Sequence, residues 1–169
     1  MSEVTRVVVD AMGGDYAPEW IIRGAVEAIN EGAKAQVILT GKEDVIKKEL
    51  AKYTYDQSKI EVVNATEEIT CHEAPVQAVR SKKDSSLVVG LNMVKNGEAD
   101  AIISAGSSGA ILAGVSSRTF QRCKTFTACS ITSYIKGVFS SDRLWSECRR
   151  ETGASVTVCK DGIYLYGEY

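Results

Sequence analysis

Two short glycine-bearing segments carry residue types suited to holding an anion. The first is Ser104-Ala105-Gly106-Ser107-Ser108-Gly109. Small residues where a strand meets a helix leave several backbone N–H groups open, and the helix dipole adds partial positive charge there. Phosphate or a carboxylate is the natural ligand, with the Ser107 and Ser108 hydroxyls as further donors. The spacing is not GxGxxG and has no Walker lysine, so neither a dinucleotide nor a nucleotide is specified. The same residues also suit a plain tight turn, and spacing alone does not choose between the two.

The second segment is Asp10-Ala11-Met12-Gly13-Gly14-Asp15. Its two carboxylates flank a double glycine. They can orient a substrate hydroxyl, hold a metal or accept from loop amides; Asp15 can equally cap the helix that follows. His72, the only histidine, lies before Pro75 and has the chemistry of a general base near neutral pH. It can equally hydrogen-bond a loop backbone. Arg80, Lys82 and Lys83 form a basic run that reads either as a solvated face or as a contact for an anionic partner.

These residues need elements to hold them. Arg6–Asp10, Gln36–Gly41, Ile60–Val63 and Ala101–Ser104 read as strands, short and rich in β-branched residues. Between them lie helical patterns. Ile21, Ile22, Ala25, Val26 and Ile29 share one face, with Pro18 suited to the first turn and Gly32 to the end. Lys42–Tyr53 is amphipathic, with Val45, Ile46 and Leu50 apolar. Pro75–Arg80 is a short helix, and Ser85 or Ser86 caps another that ends at Gly97. Alternating strands and helices predict a mainly parallel sheet with crossover helices. Ligands of such sheets bind at the carboxyl ends of the strands, where both glycine segments fall.

The 169 residues are 44% hydrophobic and 25% charged with a net charge of −2, the balance of a soluble globular chain. A nucleic-acid binder held by a basic surface is disfavoured. No apolar run approaches a membrane span, and no leader pattern is seen, so a cytoplasmic protein is expected. The five cysteines, at 71, 123, 129, 148 and 159, include no CxxC pair; neither a zinc site nor a disulfide framework is expected.

VVVDAMGGDYAPE, followed by CHEAPVQAVRSKKDSSLVVGLNMVKNGEADAIISAGSSGAILAG, resembles the PlsX family of phosphate acyltransferases over about residues 4–114. The DAMGGD block and the HExP, KKDSS and SAGxxGA series are specific in combination and weak singly. The resemblance implies a three-layer α/β/α sandwich, Rossmann-like and related to phosphotransacetylase and isocitrate-dehydrogenase-like enzymes, here incomplete. It implies formation of acyl phosphate from acyl-acyl carrier protein and inorganic phosphate, with no cofactor. The product feeds a glycerol-3-phosphate acyltransferase in bacterial phospholipid synthesis. Homodimers and peripheral membrane association are family traits. Gly106, Ser107, Ser108 and Gly109 are then candidate phosphate or oxyanion contacts, with Ser104, Gly13, Gly14 and Asp15 lining the same cleft. Asp10, His72 and Lys83 are candidate catalytic groups, and Arg80–Lys83 a candidate contact for the acidic carrier protein. The alternatives are a phosphotransacetylase-like enzyme using acyl-CoA, a non-catalytic Rossmann-like anion-binding module, and a fragment without function of its own.

After Val115 the character changes. Residues 1–115 carry 17 acidic and 12 basic side chains, and residues 116–169 carry 5 and 8, with four of the five cysteines. The resemblance stops here too. With permitted codons, Asp142–Tyr169 read one nucleotide later yields GANVD and KPEHL strings, which resemble a downstream block of the same family. Residues 1–115 are therefore expected to be the N-terminal part of an acyltransferase domain and 116–169 an out-of-frame tail. Such a truncated chain is expected to be poorly soluble and weakly active or inactive.

Overall fold

The computed structural model describes residues 4–116, 155–159 and 162–166. Four parallel strands form its frame: β1 (Thr5–Asp10), β2 (Ala35–Gly41), β3 (Ile60–Asn64) and β4 (Ala101–Ser104). Two more strands, β5 (Ser155–Cys159) and β6 (Gly162–Tyr166), continue the sheet antiparallel beyond β4. The spatial order is β3-β2-β1-β4-β5-β6. The sequence reading assigned no strand to the tail. SVTVC and GIYLY nonetheless carry the β-branched and aromatic residues that suit a pleated surface.

Among the described residues five α-helices cover the sheet: α1 (Glu19–Asn30), α2 (Glu43–Leu50), α3 (Pro75–Ser81), α4 (Ser86–Asn96) and α5 (Ser108–Ser116). Side chains alternate across a strand, so β2 feeds two cores. Val37 and Leu39 pack with Ala11 of the turn after β1 and with Ile22, Val26, Ile29, Ile46 and Leu50, the apolar stripes of α1 and α2. Ile38 packs on the other side with Val8, Ile102 and residues of α3, α4 and α5, including Leu91 and Ile111. Helices on both faces make this a three-layer α/β/α arrangement. Gly90 lets α4 lie against the sheet, since a Cβ there would stand 2.6 Å from Ile102 Cδ1 and 2.9 Å from Val8 Cγ1.

Local signals explain the helix ends. Ser85 Oγ accepts from Val88 N and caps α4, and Gly97 closes it with φ +79°, a left-handed value that suits glycine. Three expectations are corrected. The second helix is Glu43–Leu50, shorter than Lys42–Tyr53, because Lys52 and Tyr53 N–H donate to Glu49 and Leu50 carbonyls in a tighter closing turn. Val45 is exposed, since Ile46 and Leu50 already span the buried stripe. Asp15 does not cap α1, whose N-cap is Pro18 without a side-chain bond.

No helix among the described residues is long and apolar enough to cross a membrane.

Candidate functional site

From β1 the chain moves one way across the sheet, through β2 to β3, with α1 and α2 on one face. It then returns past β1 to β4, with α3 and α4 on the other. The carboxyl ends of β1 and β4 are therefore a topological switch point, where loops diverge and leave a crevice. Asp10 ends β1 and Ser104 ends β4.

The two glycine segments meet there. Ser104 Oγ donates to Asp10 Oδ2 at 2.8 Å and accepts from Gly106 N at 3.1 Å. Met12 N donates to Asp10 Oδ1 at 3.2 Å. A Cβ on Gly13 would stand 2.6 Å from Asp10 Oδ2 and 2.8 Å from Ser104 Oγ. One on Gly106 would stand 3.2 Å from Gly13 Cα, and one on Gly14, where φ is +105°, 3.1 Å from the Ala105 carbonyl. The glycines are thus the condition for the two turns to touch.

Asp10 is buried and faces no cation in any described contact. Burial pushes its carboxyl above the usual value; bonds from Ser86, Ser104 and the Met12 and Gly13 amides pull the other way and fall short. The sequence reading missed Ser86 as a partner of Asp10. Its sequence role is at a helix start, and only α4 crossing over β1 brings it to the carboxylate.

The expected anion cradle is partly committed. Gly106 N–H is turned onto Ser104, and Ser107 Oγ accepts from Ala110 N at 3.3 Å, capping α5. The first-turn amides at Ser108 and Gly109 find no acceptor among the described residues, and the Ser107 hydroxyl keeps its proton to donate. Gly109 is buried and Ser107 and Ser108 half-buried.

A cleft of about 230 Å³ opens on the far side of the first turn, between Met12, Gly14, Asp15 and Ala17 and the segment Glu68–His72. His72 is exposed at its rim. Cys71 beside it has a thiol raised above its usual value, by burial first and by the charge of Asp15 second. Ser107, Ser108, Gly109, Asp10 and Lys83 are not among its walls. Lys83 is exposed after α3, and of the basic run Lys82 is already paired, with Glu73 at 2.6 Å. Arg80 and Lys83 are the exposed cations of the run.

Residues 5–136 match the family described as "Fatty acid synthesis protein". The chain belongs to this family. Named relatives are similar over shorter stretches. The "Phosphate acyltransferase" of Clostridium botulinum is 52% identical over 108 residues, 64% of this chain and 32% of the relative. That of Clostridioides difficile is 53% identical over 109 residues, again 64% of this chain and 32% of the relative. That of Clostridium acetobutylicum is 53% identical over 108 residues, 64% of this chain and 33% of the relative. The matched segment spans about a third of the length of these relatives.

Proposed function

We propose that this chain supplies the phosphate-holding corner of an acyltransferase that forms acyl phosphate from acyl-acyl carrier protein and inorganic phosphate. One observation carries the reading: two glycine turns pack against each other at the switch point of the sheet and leave the α5 first-turn amides without acceptors. In the reaction a phosphate oxygen attacks the thioester carbonyl, the C–O bond forms, the C–S bond breaks, and the electron pair leaves on sulfur as a thiolate that takes up a proton. Phosphate is already ionised, so holding it and relieving charge on the carbonyl oxygen matter more than a strong base. Ser107, Ser108 and Gly109 would hold the oxyanion. Asp10, Ser104, Gly13 and Gly14 fix the turns beneath them, which makes Asp10 a positioning residue. His72, on the rim beside Asp15, is the candidate proton donor to the thiolate, and Lys83 a candidate charge near the approaching carrier.

Inorganic phosphate titrated against labelled protein tests the cradle. Amide shifts confined to Ser107, Ser108, Gly109 and their neighbours are expected; no saturable shift at these positions would refute it. Carrier-protein and CoA thioesters compared for acyl phosphate, trapped with hydroxylamine, test the donor. Product from the CoA thioester alone would transfer the reading to a phosphotransacetylase-like enzyme. Residues 116–169 are proposed to be out of frame, from their charge and cysteine content, while the family match runs on to residue 136. An intact coding frame, with no family block in the adjacent one, would overturn that.

A further inference from the structure

We propose that Lys82 is a positioning residue for the cleft, holding the segment Glu68–Glu73 so that Cys71 and His72 face Asp15. The proposal rests on the cleft being the working site, but its geometry stands alone. Cys71 and His72 make no hydrogen bond to any described residue, so their place is set by the residues on either side. On one side, Glu73 Oε1 accepts from Thr70 N at 3.0 Å and from Thr70 Oγ1 at 2.9 Å, closing a small ring around positions 70–73. Lys82 seizes that ring. Its Nζ lies 2.6 Å from Glu73 Oε2 and donates to the Glu68 carbonyl at 2.8 Å. One ammonium thus ties both ends of the segment to the end of α3.

The other anchors act elsewhere. Thr66 and Glu67 are fixed through Asp84, with Thr66 N donating to Asp84 Oδ2 at 3.1 Å and Asp84 N to Glu67 Oε2 at 3.3 Å. Lys42 Nζ pairs with the Glu68 side chain at 3.1 Å, from the α2 side. Ile69 is buried in the core beside α3 and α4. None of these reaches residues 70–73. Lys82 and Glu73 are both half-buried, which shields the pair from screening better than a solvated surface pair. The held charge is also visible at Glu73, whose carboxyl is lowered to about 2 by Lys82 first and the Thr70 bonds next.

Alkylation of Cys71, followed by peptide mass spectrometry, reads the segment's position without reference to activity. In place, Cys71 is exposed, with its thiol held above the usual value by partial burial and by the Asp15 carboxylate. Released, it loses those two restraints and gains thiolate character, so Lys82→Ala is expected to speed Cys71 alkylation about threefold to tenfold. Lys82→Arg, which keeps a cation with several donors, is expected to return the rate to within about twofold of the parent. Hydrogen exchange on β1 and β4 is expected to be unchanged, which separates local release from unfolding. Should Lys82→Ala fail to fold, Glu73→Gln removes the ion pair while keeping the side-chain size, and a faster Cys71 is expected there too. A parental Cys71 rate in a folded Lys82→Ala or Glu73→Gln protein overturns the proposal. Absence of phosphate binding by the parent would instead refute the functional reading, and leaves these rates as they are.

Discussion

Ser104 Oγ donates to Asp10 Oδ2 across 2.8 Å, joining the ends of two neighbouring parallel strands at the point where the chain reverses its direction across the sheet. The same oxygen accepts from Gly106 N, so one hydroxyl sets both turns. Ser104→Ala removes the donor to a buried carboxylate and the acceptor of a loop amide together. A loss of about 1–3 kcal/mol in denaturant unfolding is expected. Ser107→Ala is the comparison, since it removes only the α5 cap, and a loss of about 0.5–2 kcal/mol is expected with the Asp10 contacts intact.

The charge state of Asp10 gives stability a pH dependence of definite sign. Its folded value is raised above 3.8, burial being the main cause. The folded chain then holds this proton more tightly than the unfolded chain. Stability from this group is complete below the unfolded value and is lost as pH rises through the folded one. Asp10→Asn cannot titrate, so its stability relative to the parent should climb with pH across that window and level off above it. Urea midpoints at closely spaced pH values measure this; a relative stability that falls with rising pH would contradict the assignment. Glu73 acts in the opposite sense. Its value is lowered from 4.5 to about 2, so its contribution is present above the former and is lost as pH drops through the latter. The gap between Glu73→Gln and the parent should shrink over that range.

Gly13 and Gly24 separate a glycine that the site requires from one that it does not. A Cβ on Gly13 would meet Asp10 Oδ2 at 2.6 Å and Ser104 Oγ at 2.8 Å, whereas one on Gly24 in α1 meets nothing within 4 Å. Gly13→Ala is expected to cost about 1–3 kcal/mol through overpacking. Gly24→Ala is expected to stabilise by about 0.5–1 kcal/mol, as a helix-interior glycine replaced by the best helix former. Equal effects of the two substitutions would show that the packing at the first turn is not special.

The alternation of β-branched runs with amphipathic helices was legible because period and punctuation agree. Val37, Ile38 and Leu39 read as part of a strand, and they are the buried middle of β2. Ser85 and Gly97 mark the ends of α4 by chemistry that acts within a few residues. The two glycine turns were legible as candidate loops for the same local reason. What the sequence concealed depends on contacts between distant positions. Ser86 reaches Asp10 only because α4 crosses β1. Lys82 read as one of three cations on a solvated face or against an anionic partner, and its pairing with Glu73 follows from the path of the segment before α3. The commitment of Gly106 N–H to Ser104 was hidden too, because loop amides carry no sequence signal for where they point. The strands β5 and β6 were not legible, because the composition of the tail does not report pairing.

Contact between the two turns also predicts that their substitutions are coupled. A Cβ on Gly106 would stand 3.2 Å from Gly13 Cα and 3.3 Å from Ser104 Oγ. That is close enough to push the second turn off the first without filling the site above them. Gly13→Ala presses on the same Ser104 Oγ, and on Asp10 Oδ2 as well, from beneath. Once either substitution has parted the turns, the other meets less resistance. The double variant should therefore be less destabilised than the two single losses combined, by about 0.5–3 kcal/mol, the size of coupling found between groups that share a contact. Gly106→Ala and Gly24→Ala, which touch nothing in common, should combine additively to within about 0.5 kcal/mol. Denaturant unfolding of the three single and two double variants measures both cycles. Additivity in the first would mean that the turns are held by their own strands and not by each other, and the phosphate cradle would then have to be built from α5 alone.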